Sequence, residues 1–253
     1  MAETIDVSWQ VLLWMLPVMV FAGLVHGALG LGFPMVATPI IAVFLDVKLA
    51  ILITLLPTAA VNLASIRHQR GAKQIAAKYW PLAAASLIGA VFGAYVLSVA
   101  DASAFRLLLA LLILVFLWTQ YRGRLTSEGF TTYPLAVLVV IGLLAGFSAG
   151  TTNVMVAILI IYFLSAEVQR SEMVGAMNLC FLIGKLSQIV VFFSVGLMSL
   201  TLLVKTIPLA VAALVALSYG QSVSQRISPE RYTQWLRYLL AVLAATLLWQ
   251  FFS

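Results

Sequence analysis

Lys185 is the residue of this chain best suited to hold an anion. It lies about 20 Å along an apolar run that begins near Glu172. A lysine at the centre of a membrane span costs about 2.5–3.5 kcal/mol on insertion scales, and such residues pair with an opposite charge or mark an ion path. Glu172 is nearly four turns away, and the other acidic residues fall outside every predicted full span. Two readings stay open: a structural lysine bonded to backbone carbonyls, or the counter-charge for an anionic ligand. Gly175, Asn178 and Gln188 share its face. A second polar stripe, Thr54, Thr58, Asn62 and Ser65, recurs at spacings of four, four and three, which also makes one helical face. The third group is backbone. Gly30 and Gly32 let amides approach a ligand, and Thr151, Thr152 and Asn153 add hydrogen-bond donors to a matching interruption. Unwound chain at membrane depth is tolerated only beside protein or a water-filled cavity. A half-helix that starts there aims free N–H groups and a positive dipole end at the gap, which favours an anion. The competing reading of the glycines is close helix packing. Gly23-xxx-Gly27, Gly89-xxx-Gly93, Gly142-xxx-Gly146 and Gly146-xxx-Gly150 all fit a small-xxx-small pattern.

Other chemistries fare worse. Gly146-Phe147-Ser148-Ala149-Gly150 satisfies a G-x-S-x-G nucleophile pattern, with His26 as the partner base of an intramembrane hydrolase. That elbow belongs between a strand and a helix, and the sequence shows no strand periodicity. Gly27, Gly30 and Gly32 have the wrong spacing for a dinucleotide fingerprint. One cysteine, Cys180, excludes a disulfide framework and a thiolate metal cluster, and two histidines argue against a transition-metal permease. No cofactor, catalytic residue or metal ligand is expected. His68 reads as solvated in a basic loop.

The elements that position these residues are membrane helices. Of 253 residues, 64% are hydrophobic and 9% charged, against about 45–50% and about 25% in a soluble domain. A soluble fold of this size has too little interior for that many apolar side chains. The start, Met1-Ala2-Glu3-Thr4-Ile5-Asp6, lacks a basic n-region, so the helix from Val11 onward is expected to be retained. Runs of about 20 residues, enough to cross about 30 Å, fall at 47–67, 79–99, 104–121, 172–195, 200–220 and 232–252. Two longer regions, 9–45 and 133–165, are broken at Gly27–Pro34 and Gly146–Asn153 and read as re-entrant hairpins. They match each other: Gly23–Gly27 aligns with Gly142–Gly146, and Met35–Leu45 with Val154–Leu164, at an offset of 119. The expected fold is all-α and integral to the membrane, in two inverted-topology repeats, residues 1–125 and 130–253. Each repeat is a broken-helix hairpin plus three full spans, and such repeats are a mark of secondary transporters. The net charge of +6 does not indicate nucleic acid, since the basic residues sit in short clusters between apolar runs. With the N-terminus outside, ten of them fall in inner loops, while Lys48, Arg106 and Lys205 lie outside, a positive-inside bias.

The chain resembles the TauE/SafE family of sulfite-exporter membrane permeases over nearly its whole length. The likeness rests on the duplicated G-L-x-x-G (Gly23–Gly27, Gly142–Gly146), the Gly30/Gly32 pair, Pro39 in the returning helix and the Arg67…Gly71 turn. Members typically carry a longer glycine run at the first break, where this chain has Phe33-Pro34. The resemblance implies export of sulfite or a small organosulfonate such as sulfoacetate across a bacterial inner membrane. The residues themselves indicate a secondary transporter moving a small oxyanion by alternating access at a midplane site. The expected site residues are Lys185, Asn178, Asn62, Thr58, Gln188, Gly30, Gly32, Thr151, Thr152 and Asn153. An anion channel and the hydrolase built on Ser148 and His26 are the alternatives. The expected partners are the anionic substrate and the bilayer, in a chain compatible with a homo-oligomer.

Overall fold

The first helix starts where Ser8 accepts a hydrogen bond from the Val11 amide at 3.4 Å, and stops where Gly30 turns left-handed, φ 81°. Both are expected cap chemistry, a hydroxyl at the N-cap and a glycine past the C-terminus. The helices in chain order are α1 (Trp9–Leu29), α2 (Phe33–Phe44), α3 (Val47–His68), α4 (Ala72–Val99), α5 (Ala102–Arg122), α6 (Pro134–Thr152), α7 (Val156–Ser165), α8 (Arg170–Ser194), α9 (Leu200–Lys205), α10 (Ile207–Val223) and α11 (Pro229–Phe252). This is a computed structural model, and it describes residues 7–122, 134–223 and 229–252. Eight helical stretches among the described residues are long and apolar enough to cross a membrane, and α2 and α7 are shorter apolar helices. Large apolar side chains such as Trp14, Phe92, Trp235 and Trp249 face outward, as they must where the solvent is lipid. The protein is an all-α integral membrane protein.

Several predicted boundaries move. α1 runs on through Gly27 to Leu29, so the first break is only Gly30-Leu31-Gly32, and the second is Asn153-Val154-Met155. At 21 residues α1 is about 31 Å long, longer than a half-span. α4 begins at Ala72, seven residues before the predicted span, and changes direction at Tyr79, whose φ −104°, ψ 16° is non-helical. Tyr79 stands two residues before Pro81, whose ring clashes with the preceding turn. The 200–220 span is two helices joined at Thr206. The predicted cytoplasmic loop at 122–130 lies, after Arg122, outside the described residues.

Small residues zip two pairs of helices together. A Cβ on Gly146 would lie 2.1 Å from the Ser86 carbonyl oxygen, and one on Gly89 2.2 Å from that of Leu143, so α4 and α6 touch backbone to backbone. Gly27 and Gly220 do the same for α1 and α10, at 2.2 Å from the Leu217 oxygen and 2.4 Å from the Leu24 oxygen. The packing reading of these glycines is therefore right, and the polar breaks begin one residue past each zipped helix. α3 and α8, the most buried of the long helices, pack on each other through the centre. At one surface Lys78 on α4 pairs with Glu172 on α8 at 2.5 Å, and the Tyr79 hydroxyl donates to the same carboxylate at 2.9 Å.

Candidate anion site

Asn153 is the hinge of the second break. Its φ of 65° is left-handed, a conformation asparagine tolerates better than most side-chain-bearing residues. The turn is held from below by Ser148, whose hydroxyl donates to the Ala145 carbonyl at 3.0 Å and, across the break, to the Val154 carbonyl at 2.9 Å. So fixed, the Asn153 carboxamide points in both directions. Its Nδ2 donates to Thr54 Oγ1 at 2.9 Å and Thr38 Oγ1 at 3.1 Å. Its Oδ1 accepts from the Lys185 ammonium, which also donates to Gln188 Oε1. Gln188 Nε2 in turn donates to the Ala149 and Gly150 carbonyls at 3.1 and 3.0 Å. Lys185, Gln188, Asn153, Thr38 and Thr54 are all fully buried. The network joins α2, α3, α6 and α8 around one ammonium, and among the described residues the buried polar set contains no carboxylate.

A second cluster surrounds the first break. The Phe33 amide donates to His26 Nδ1 at 3.2 Å, so Nδ1 is the acceptor nitrogen and Nε2 carries the hydrogen, facing Ser65 Oγ at 3.0 Å. Asn178 Nδ2 donates to the Gly30 carbonyl at 2.9 Å. Gly32, at φ 105°, has open space where a Cβ would be. Each break is thus held by a polar side chain from a long helix of the opposite half, Thr54 for the second and Asn178 for the first. Thr54 and Ser65 are about 16 Å apart along α3, so the breaks sit at different levels. Thr58 and Asn62 lie on α3 between the two clusters, both fully buried.

The ten expected residues divide accordingly. Lys185, Gln188 and Asn153 come together; Asn178, Gly30 and Gly32 belong to the first break; Thr58 and Asn62 bridge the interval. Thr151 and Thr152 do not offer their hydroxyl hydrogens to a ligand. They belong to the last turn of α6 and donate back to the Phe147 and Ser148 carbonyls at 2.9 and 2.8 Å, the usual arrangement for a threonine inside an apolar helix. The sequence reading missed Thr38, a lone threonine in an apolar half-helix with no periodic partner to draw attention to it. The hydrolase alternative fails on geometry. The Ser148 proton is committed to two carbonyl oxygens, and His26 is engaged at the other break.

A family model described as sulfite exporter TauE/SafE matches residues 9–247. No curated protein and no solved structure matches the chain.

Proposed function

This chain belongs to the sulfite exporter TauE/SafE family, whose members are membrane transporters and not enzymes, and from that premise we propose that it exports sulfite or a small organosulfonate such as sulfoacetate at the Lys185 site. The observation that carries the reading is the Lys185 ammonium itself, buried and held by two amide oxygens with no carboxylate among its partners. A buried charge without a counter-charge is costly, and an incoming oxyanion supplies the missing charge. Asn153 starts the turn into α7, so that helix's amide end, which favours negative charge, lies close by. At about −100 mV, expelling one negative charge gains about 2.3 kcal/mol, enough to drive export without a coupling ion.

The mechanism is alternating access between two inverted repeats. Leu29 and Thr152, Phe33 and Val156, and Val47 and Arg170 end or begin matching helices, each pair 123 residues apart. That spacing, and not the offset of 119 read from the glycine motif, supports the duplication. It matches the zipped pairs Gly23/Gly27 and Gly146/Gly150, and it sets Asn62 opposite Lys185 and Gly30 opposite Asn153. The pairing of α1 with α10 and of α6 with α4 is the exchange expected of two halves related by a pseudo-two-fold axis. The charge bias supports an N-terminus outside and basic loops in the cytoplasm of a bacterial cell.

Uptake into inside-out proteoliposomes, with sulfite, sulfoacetate, sulfate and taurine as substrates, tests the assignment. Saturable uptake and counterflow of sulfite or sulfoacetate is the expected result. Unitary conductance without counterflow would identify a channel.

A further inference from the structure

Two buried carboxamides leave their oxygen, not their nitrogen, without a partner. Asn62 uses Nδ2 on the Thr58 carbonyl at 2.7 Å, and Asn178 uses Nδ2 on the Gly30 and Val174 carbonyls, both at 2.9 Å. Only an N–H can make those bonds, so the orientation of each amide is decided by its acceptors. What remains is Asn62 Oδ1 and Asn178 Oδ1, together with Thr58 Oγ1, none of which has a hydrogen-bond partner. Their residues are at most 2% exposed. A buried acceptor without a donor costs about 1–3 kcal/mol, and folded proteins leave few of them.

The positions of two of these atoms give them a use. Thr58 and Asn62 stand one and two turns from Thr54 on the same face of α3, about 6 and 12 Å along it. Thr54 accepts from Asn153, the residue that binds Lys185. The unpartnered oxygens therefore continue, along that face of α3, the network that holds the ammonium. One end of this seam supplies positive charge, and the rest supplies acceptors that ask for a hydrogen.

We propose, resting on the anion-export reading above, that the site selects an oxyanion that carries its own hydrogen-bond donor. The anionic oxygens meet Lys185, and the donor meets Asn62 Oδ1, with the Thr58 hydroxyl in reach of either. Hydrogen sulfite and hydroxyl- or ammonium-bearing sulfonates have both features; sulfate and fully ionised sulfoacetate lack the donor, which ranks sulfite above sulfoacetate among the substrates proposed above. A metal cation would also satisfy bare oxygens. It would, however, join a buried ammonium in a region where the buried polar residues described include no carboxylate, and the charge balance opposes that.

The test uses two sulfonates of equal charge and similar size, 2-hydroxyethanesulfonate and ethanesulfonate, titrated onto the purified protein in nanodiscs, in sodium and in choline buffer. The hydroxylated ion should bind at least about tenfold more tightly, and Asn62→Leu should remove that advantage. Thr58→Val, an isosteric loss of one hydroxyl, should narrow it, and serves if the leucine variant fails to fold. Equal affinities in the wild type would overturn the proposal while leaving anion export intact. Loss of the preference in choline would overturn it in favour of a bound sodium ion. If neither sulfonate, nor sulfite, binds the folded protein, the anion-export reading itself falls, and this inference with it.

Discussion

Lys185 lies where a structural role and a binding role make opposite stability predictions. Its ammonium donates to Asn153 Oδ1 and Gln188 Oε1, so a positive charge is held by neutral dipoles. If the lysine is structural, its two bonds outweigh the cost of burying the charge, and Lys185→Ala, which orphans two buried amide oxygens, lowers the melting temperature. If its purpose is to meet an anion, the empty protein carries the desolvated charge as a burden. Lys185→Ala should then melt no earlier than wild type in detergent, while weakening sulfite or sulfonate binding at least about 100-fold, as expected on truncating a buried charge partner. Lys185→Arg should restore little, because a planar fork does not fit where a compact ammonium sits. Unchanged affinity in a well-folded alanine variant would end the assignment. Ser148 makes the contrasting case. Its hydroxyl ties Ala145 to Val154 across the break, so Ser148→Ala should cost about 1 kcal/mol of stability and only part of the transport rate. A serine-directed phosphonate should leave the wild type unlabelled. Lys185 was legible in the sequence because an intramembrane charge stands out against an apolar run. Its partners were less so: Asn153 reaches Thr38 and Thr54 across 115 and 99 residues of chain, and periodicity reports only neighbours on one helix.

Helix pairing in this protein depends on missing side chains. The hydrophobic effect does not drive one apolar helix onto another in lipid, so close backbone approach and its van der Waals contact take over. Gly146 meets the Ser86 backbone, whereas Gly184 on α8 faces only the Ala90 methyl group, 3.7 Å from where its own Cβ would be. Gly146→Ala should therefore push α6 off α4 and lower the melting temperature in detergent by several degrees, and Gly184→Ala should change it little. Equal melting temperatures for the two variants would refute the seam as a source of stability. The glycine pattern is legible in the sequence, but its position relative to the breaks is not. G-L-x-x-G marks the zipped body of α1 and the matching region of α6, and unwinding waits until Gly30 and Asn153 adopt positive φ. A local motif signals a close approach without saying which partner is approached. The offset of 119 aligned the two motifs by letter; their equivalents by contact, Gly23/Gly27 and Gly146/Gly150, are 123 apart.

Orientation follows from how the α1–α2 pair is counted. α1 is long enough to cross, and α2, at 12 residues, starts beside His26 at the first break and leads into α3; on the re-entrant reading the pair makes no net crossing. If α3, α4 and α5, each long enough to cross, then cross three times, an odd number, the second half enters from the opposite side. If the N-terminus is outside, Arg67, Arg70, Lys73 and Lys78, around the α3–α4 turn, are cytoplasmic, and the α4–α5 turn at Asp101 is external. The α3–α4 turn is strongly basic and the α4–α5 turn is not, the asymmetry that sets orientation in short loops. Exposed residues on each turn allow a direct check. Gln74 and Ala104 are both exposed, and the native Cys180 is buried, so Cys180→Ser removes the only competing thiol in the sequence at the cost of a small apolar contact. In that background, a cysteine at Ala104 should react with an impermeant maleimide on intact cells, and one at Gln74 should react only after permeabilisation. The reverse pattern would invert the protein in the membrane, while the direction of anion movement, set by the potential, would stay outward. Labelling of both on intact cells would mean two orientations in one membrane, which a bias this one-sided should not allow.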